Sequence, residues 1–218
     1  MKNNKTKNHK IKKKEINLYM IKRLSLYLCD LKRLQEQGVS VISSSRIPDI
    51  LDVSPAQFRK DLSYFGEFGK RGVGYNIDHL VHEIENILGA NVVSDIALIG
   101  LGRLGSALLS YPGFWQFNLR ITSVFESDKR KIGRVYNGIK VENVRDIKKI
   151  VNARGIRIAM LCTPSEAIPE VMQLIQGSSI KAILNFTPVH LKKEKDIFVS
   201  NVHMSSELQT LIYFLKNA

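Results

Sequence analysis

Cysteine is scarce in this sequence, with only Cys29 and Cys162 among 218 residues. Two cysteines cannot build a disulfide framework or a four-cysteine zinc site, so we expect a reduced, cytoplasmic chain without a bound metal. No run of about 18 apolar residues is present, so no transmembrane helix is expected. No apolar segment follows the N-terminal lysines, which argues against a secretory signal peptide.

Acidic residues are outnumbered by basic ones, and the formal net charge is +13. The imbalance is greatest at the front, because residues 1–80 hold 16 Lys and Arg against 8 Asp and Glu. This distribution predicts a polyanionic partner such as nucleic acid. Residues 1–15 form a Lys-rich segment that we expect to be disordered. Two interpretations of this tail stay open: it adds non-specific DNA affinity, or it is only a solvated extension.

Residues 16–90 have the pattern of a helical domain. Apolar side chains recur at steps of three and four over residues 15–37, and Gly38 is placed to end that helix. Ser43–Ser45 can cap a short second helix at 46–51. The order of these helices, followed by a third and a glycine-rich segment, predicts a winged helix-turn-helix.

The third helix is predicted over 55–65, because Ser54 followed by Pro55 is a strong helix start. On a helical wheel its apolar residues fall on one stripe, and Arg59, Lys60 and Ser63 point away from the core. The apolar stripe consists of Phe58, Leu62 and Phe65.

Arg59, Lys60 and Ser63 on the outward face are the predicted DNA-reading residues, together with Tyr64. Arginine can hold a guanine with two hydrogen bonds, while Lys and Ser more often contact phosphates. A solvated basic face is the plain alternative, common on any helix.

The segment 68–75 is punctuated by glycines, which suits a tight hairpin or wing. Lys70 and Arg71 lie in it, and Arg71 between flexible glycines suits insertion into a minor groove. Asp78 is then expected to cap a helix that ends before Gly89.

Residues 91–204 alternate between short apolar runs and helical stretches, which predicts an α/β domain with a Rossmann-like parallel sheet. The predicted strands are 94–100, 120–126, 157–162, 180–185 and, less regularly, 197–202. The predicted helices are 103–110, 144–152 and 165–176.

A glycine pattern follows the first predicted strand of this domain, Gly100-Leu101-Gly102-Arg103-Leu104-Gly105. It matches G-x-G-x-x-G in the context that dinucleotide binding requires, with a strand before it and a helix after it. In such loops the first glycine allows the turn, the second lets the pyrophosphate approach and the third lets the helix pack on the strand. The start of the helix would then face the phosphates.

Glu126 ends the next predicted strand, 21 residues past Gly105. An acid at this place accepts hydrogen bonds from the adenosine ribose and repels a 2′-phosphate, which favours NAD(H) over NADP(H). A surface acid is the alternative, and Asp128 is a second candidate for the ribose role.

No acid–base set for catalysis emerges from the five histidines. Cys162 ends a predicted strand and could face a cofactor, although a small buried side chain is the plainer interpretation. Three functions therefore stay open: a transcriptional repressor that responds to NADH, an NAD-dependent oxidoreductase with an appended nucleic-acid-binding domain, and a regulator that binds CoA or another nucleotide.

Residues 205–218 form a C-terminal helix that is apolar on nearly every face, with Ser206 and Gln209 spaced as a capping box. A terminal helix of this kind must be covered, and a second subunit is the natural cover. We therefore predict a homodimer, whose two-fold symmetry would match a palindromic operator.

Four segments together resemble the Rex family of redox-sensing transcriptional repressors, in colinear order over about residues 20–215. These segments are Phe58–Gly66, Lys70–Asn76, Gly100–Leu108 with Tyr111-Pro112-Gly113, and Ala182–Pro188. The resemblance implies a homodimer that exchanges its last helix, represses fermentative genes when NAD⁺ dominates, and releases double-stranded operator DNA when NADH binds.

By position, the resemblance implies that Arg59, Lys60 and Ser63 read the major groove. It also implies that Arg71 enters the minor groove. It assigns the glycine loop to the pyrophosphate and places Tyr111 near the nicotinamide. It assigns Glu126 to the ribose, at a position where the family usually has Asp. Thr163, Pro164 and Asn185 complete the predicted cofactor contacts.

Two positions depart from the family. Cys29 stands where relatives often have Arg, and His203 where they often have Asp. The resemblance implies that this Arg–Asp contact couples the DNA-binding and cofactor-binding parts, so the sequence predicts either a weakened response to NADH or coupling through another contact.

Overall fold

The computed structural model describes residues 17–69, 73–192, 194 and 196–217. The chain divides between Val92 and Val93 into two compact units. Among the described helices, none combines the length and the apolar character needed to span a bilayer. The Lys-rich tail and wing residues Lys70 and Arg71 lie outside the described residues.

Within its described residues, the first unit is built on three α-helices and a two-stranded antiparallel sheet, in which Val41 pairs with Asn76 and Ile42 with Tyr75. Its elements are α1 (Leu18–Glu36), β1 (Val41–Ile42), α2 (Pro55–Ser63), β2 (Tyr75–Asn76) and α3 (Ile77–Leu88). The ring of Phe58 lies at the centre, 5.0 Å from that of Tyr27 and 5.4 Å from that of Tyr75. Phe58 is fully buried, so this aromatic cluster anchors α2 in the core.

The helix predicted at 46–51 was wrong. A 3-10 turn at Ser44–Arg46 stands there instead, followed by one isolated turn in which Leu51 N–H donates to the Ile47 carbonyl oxygen at 2.8 Å. Pro48 has no N–H to donate to the Ser44 carbonyl oxygen, so the 3-10 turn cannot continue as a regular α-helix.

Two helix boundaries in this unit also differ from prediction. Ser54 caps α2 as expected, but α2 ends at Ser63 and leaves Phe65 outside it, half-buried. The cap of α3 is Asn76 and not Asp78, because the Asn76 side chain accepts from His79 N–H at 2.8 Å. Gly89 ends α3 with positive φ, as predicted.

The second unit contains a seven-stranded sheet in the order β5-β6-β4-β3-β7-β8-β9, parallel except for the β5–β6 pair. The strands are β3 (Ser94–Ile99), β4 (Leu119–Glu126), β5 (Val135–Tyr136), β6 (Ile139–Asn143), β7 (Ile158–Leu161), β8 (Ala182–Asn185) and β9 (Phe198–Asn201). Counted along the chain, the six parallel strands have the order 3-2-1-4-5-6 of the Rossmann fold. The predicted sheet is therefore confirmed.

Two helices of this unit begin later than predicted, because their first residues form 3-10 turns, at Val144–Asp146 and Ser165–Ala167. The α-helices of this unit are α4 (Arg103–Leu109), α5 (Ile147–Arg154), α6 (Ile168–Ile175) and α7 (Met204–Asn217). Apolar residues alternate along β3, so that Ala97 and Ile99 face one core while Ile96 and Leu98 face the other. This alternation places apolar layers on both faces of the sheet.

The hairpin β5–β6 was not predicted, although its turn is Asn137-Gly138. Both turn residues have positive φ, which is the geometry of a tight two-residue hairpin.

The C-terminal helix α7 exposes its large apolar side chains, and Leu208, Leu211, Ile212 and Phe214 are each about 60% exposed. The predicted capping box is wrong, because α7 begins two residues earlier and the Ser206 hydroxyl donates to the His203 carbonyl oxygen at 2.8 Å.

Candidate functional site

The outer face of α2 presents Arg59, Lys60 and Ser63 to solvent, as the sequence predicts, and Tyr64, the residue just after the helix, is exposed as well. Pro55 occupies the first turn, and Ser54 Oγ accepts from Gln57 N–H at 3.2 Å, so the helix has a firm start. A rigid helix with a basic outer face is the element that enters a major groove in helix-turn-helix proteins.

Asp61 lies on the opposite side of α2, buried to 2% exposure, and sequence reasoning missed it. Its carboxylate accepts from Arg23 Nε and Nη2, both at 2.7 Å, from Tyr27 Oη at 2.9 Å and from Gln57 Nε2 at 2.7 Å. Burial works to raise the pKa of Asp61, but these hydrogen bonds outweigh it and hold the pKa below its usual value. The network fixes α2 to α1 with the basic residues facing out.

In the second unit, a cavity of about 390 Å³ opens at the carboxyl ends of the parallel strands. It lies beside the ends of β3, β4 and β7, and the order of strands reverses between β3 and β7. Ligands of open α/β sheets bind at such a reversal point. The predicted residues that line the cavity are Gly100, Gly102, Glu126, Thr163 and Pro164.

The glycines of the loop after β3 have separate structural reasons. Gly100 has φ +95°, and a Cβ there would lie 2.7 Å from the Cys162 carbonyl oxygen. A Cβ at Gly105 would collide with the Gly100 carbonyl oxygen, while Gly102 faces open space. The loop therefore leaves room for a ligand at its second glycine, as a pyrophosphate requires.

Glu126 ends β4 with its carboxylate turned toward this loop. Its Oε2 accepts from Leu101 N–H at 2.9 Å, and its Oε1 accepts from the N–H groups of Ser127 and Asp128 at 2.7 and 3.2 Å. Burial works to raise the pKa of Glu126, but these backbone donors, with nearby Lys131, lower it overall. The Glu126 side chain is therefore a carboxylate at neutral pH and can accept hydrogen bonds from ribose hydroxyls.

Lys131 lines the same cavity and was missed in the sequence, because it lies in a loop outside any motif considered there. Its ammonium donates to the Leu101 carbonyl oxygen at 2.8 Å and lies 3.7 Å from Glu126 Oε2.

Two side chains after β7 complete the cavity. Burial raises the pKa of the Cys162 thiol to about 11, so it is a neutral thiol at physiological pH. The buried Oγ1 of Thr163 has no hydrogen-bond partner among the described residues. Buried hydroxyls nearly always have a hydrogen-bond partner, so the Thr163 hydroxyl suits a polar group of a ligand. Together with the glycine loop and Glu126, it makes a cavity whose chemistry fits a dinucleotide.

Other predicted cofactor residues lie elsewhere. Arg103 is exposed at the start of α4, and Leu104 is half-buried on it. Tyr111 is 55% exposed and packs edge-on against Phe114, beside a separate cavity of about 250 Å³.

Asn185 is fully buried, and its amide contacts other parts of the protein. Its Nδ2 donates to the Val189 carbonyl oxygen and to Asn201 Oδ1, both at 2.8 Å, and its Oδ1 accepts from Thr187. Asn185 thus organises the loop after β8 and does not line the cavity.

Cys29 and His203 each have a local environment of their own. Cys29 is exposed on α1, and the pKa of its thiol is raised by partial burial and then by Asp30. The His203 ring stacks on His190, with 3.4 Å between His203 Nε2 and His190 Nδ1. Within the described residues, no three His, Cys, Asp or Glu side chains are placed to share a metal ion.

A basic, firmly capped helix in one unit and a nucleotide cavity at a Rossmann reversal point in the other are the two parts of a ligand-responsive transcription regulator. Family models match both parts: residues 16–63 match a putative DNA-binding protein N-terminus, and residues 91–189 match a CoA binding domain. The chain belongs to the family of the redox-sensing transcriptional repressor Rex.

Two curated relatives illustrate the match. Rex of Roseiflexus sp. (strain RS-1) is 38% identical over 90% of this chain and 89% of its own length. Rex of Lactobacillus acidophilus is 40% identical over 89% of this chain and 92% of its own length.

Solved structures agree with these relatives. The chain is similar to RSP in complex with β-NAD⁺ and operator DNA, with TM-score 0.86, 31% identity and 93% of each chain covered. It is also similar to RSP in complex with β-NADH, with TM-score 0.83, 29% identity, and 93% and 95% of the two chains covered.

Proposed function

We propose that this protein is a transcriptional repressor that binds operator DNA as a homodimer and is released by NADH. The observation that carries the proposal is the cavity, in which the glycine loop, a partly buried carboxylate and an unpaired hydroxyl meet. The likeness to a relative solved with both NAD⁺ and operator DNA supports the pairing of the two ligands. Because the proposed partner of this protein is operator DNA, we also propose that the protein acts in the cytoplasm.

On the DNA side, Arg59 would read base edges in the major groove, while Lys60, Ser63 and Tyr64 would position the helix on the backbone. Arg71 would enter the minor groove, as the family resemblance implies, and Lys70 beside it would also contact the DNA.

On the cofactor side, the loop from Gly100 to Gly105, with Arg103 and Leu104 in it, would hold the pyrophosphate. Glu126 would accept the hydroxyls of the adenosine ribose, and its negative charge would disfavour a 2′-phosphate. Thr163 and Pro164 would line the path of the ligand, while Tyr111 would lie toward the nicotinamide. Asn185 would act indirectly, by holding the loop that follows β8.

Dimerisation would use residues 205–218, where the apolar side chains of α7 are exposed to solvent. Burial of apolar surface at about 25 cal/mol per Å² favours covering such a helix. We propose that the helix is exchanged between two copies, with 16–90 as the DNA-binding domain and 91–204 as the cofactor domain.

We assign no catalytic role to the cavity. A dehydrogenase needs a proton donor or a nucleophile near the nicotinamide. Cys162 lines the cavity, and burial raises its pKa to about 11, so at neutral pH it is both a poor nucleophile and a weak proton donor. NADH would therefore act as an effector and not as a consumed substrate.

Two measurements test these assignments. NADH should raise the unfolding temperature of the wild type more than NADPH or CoA does, since stabilisation follows affinity for the folded state. Operator selection from random palindromes should return a defined site that the full chain binds. A larger shift with CoA, or no sequence preference, would contradict the proposal; turnover of alcohols or hydroxy acids with NAD⁺ would favour the oxidoreductase alternative.

A further inference from the structure

The peptide units on both sides of Leu101 are held from opposite directions by a charged pair. The N–H of Leu101 donates to Glu126 Oε2 at 2.9 Å, and its carbonyl oxygen accepts from Lys131 Nζ at 2.8 Å. The two charged groups lie 3.7 Å apart, with side chains 12% and 33% exposed for Glu126 and Lys131. We call this arrangement the Leu101 clamp.

The clamp acts where the chain is intrinsically loose. Gly100 and Gly102 flank Leu101, and glycine has the largest conformational freedom to lose on ordering. Gly100 is in addition held at φ +95°. Ordering such a loop costs conformational entropy. If the loop is already ordered before the ligand binds, the binding free energy does not include that cost, and affinity is higher.

Lys131 is itself placed by the backbone. Its N–H donates to the Asp128 carbonyl oxygen at 2.9 Å, and the N–H of Ile132 donates to the same oxygen at 3.2 Å. This turn follows directly after β4, so the lysine returns toward the loop from the end of the neighbouring strand.

We propose that Lys131 is a positioning residue of the dinucleotide site, which holds the Gly100–Gly102 loop in its binding conformation together with Glu126. The inference rests on the proposed function, since it takes the dinucleotide as the ligand. It adds to the ribose role of Glu126 a second role, as one half of a clamp on the loop.

The test compares Lys131→Met with Lys129→Met. The control removes an equal charge from the same turn, at an exposed position that does not line the cavity. Lys131→Met should weaken binding of NADH and NAD⁺ by the same factor, about tenfold, because the clamp holds a loop that both ligands share. Lys129→Met should change neither affinity.

The readout that separates positioning from direct contact is amide hydrogen exchange in the ligand-free protein. Lys131→Met should speed exchange at residues 100–103 and leave the strands and the unfolding temperature unchanged. Glu126→Gln should do the same, and the double variant should lose less affinity than the two single losses combined.

Unchanged exchange at the loop would overturn the inference, whether or not affinity falls, because a fall alone would mean that Lys131 touches the ligand. Unchanged NADH affinity in Lys131→Met would overturn it as well. Failure of the wild type to bind NADH would defeat the proposed function separately, while loop exchange would still report on the clamp.

Discussion

Arg23 on α1 and Asp61 on α2 form a two-pronged ion pair, with Nε and Nη2 each 2.7 Å from a carboxylate oxygen. Asp61 is 2% exposed and is the one charged side chain of α2 that turns inward, while its neighbours Arg59 and Lys60 face solvent. Its contacts with Tyr27 and Gln57 complete its hydrogen bonding. The orientation of the basic face therefore depends on this acid.

Asp61→Asn should destabilise the first unit by about 2–4 kcal/mol, because breaking a buried pair leaves the partner charge poorly compensated. This expected loss of stability is smaller than for a fully buried pair, because the Arg23 side chain is 34% exposed and water can hydrate its charge once the pair is broken. Urea unfolding followed by circular dichroism measures the effect. Trp115 fluorescence reports the second unit and should not change, and Asp52→Asn, at an exposed acid, serves as control. An equal effect from both variants would contradict the assignment.

The same carboxylate predicts a pH dependence. Burial alone would raise the pKa of Asp61, but the hydrogen bonds from Arg23, Tyr27 and Gln57 outweigh it, so the folded pKa is lowered. Its contribution is fully present above the unfolded pKa of about 4, and is lost as pH falls through the lower folded value. The stability difference between wild type and Asp61→Asn should therefore be largest near neutral pH and shrink below about pH 4. A constant difference down to pH 2 would count against this account.

The sequence predicted these features unevenly, for physical reasons. The α2 cap, the glycine loop and the strand ending at Glu126 follow from local chemistry, and a single sequence contains that information. Asp61 lies three residues after Phe58, so the helical wheel places it beside the apolar stripe. What the wheel lacks is Arg23, 38 residues earlier, whose ion pair lets a carboxylate be buried there.

The remaining misses have other causes. Asn137-Gly138 is a hairpin signal that the alternation of strands and helices obscured. Asn76 caps α3 and Asp78 does not, because the N-cap is the residue before the first helical residue, and α3 begins at the buried Ile77. Lys131 reaches Leu101 across 30 positions, and only the fold brings them together.

Arg59→Ala should weaken operator binding by about 1–3 kcal/mol and relax the base preference at one position of each half-site. Lys60→Ala should instead weaken binding equally across sequences, as loss of a phosphate contact does. Fluorescence anisotropy with the operator and with single-base variants measures both. Lys149→Ala, an exposed lysine of α5, is the control. Uniform weakening by Arg59→Ala would show that it only contacts the backbone.

Cys29 and His203 predict a shallow response to NADH. The Rex resemblance implies a charged contact at these positions, and neither a thiol nor a histidine stacked on His190 supplies it. Since allosteric coupling is typically about 1–3 kcal/mol, one ion pair is a large share of it. The double variant Cys29→Arg, His203→Asp should increase the effect of NADH on operator affinity about fivefold. A steep release by the wild type, unchanged in the double variant, would refute this.

The central claim is that one ligand site controls one DNA site, and an operator titration tests it directly. The dissociation constant of the full chain for its operator is measured with saturating NADH, with saturating NAD⁺ and with neither. We expect NADH to raise it by about fivefold, the low end of the usual coupling range, and NAD⁺ to leave it unchanged or lower it. Equal operator affinity in NADH and NAD⁺ would contradict the account.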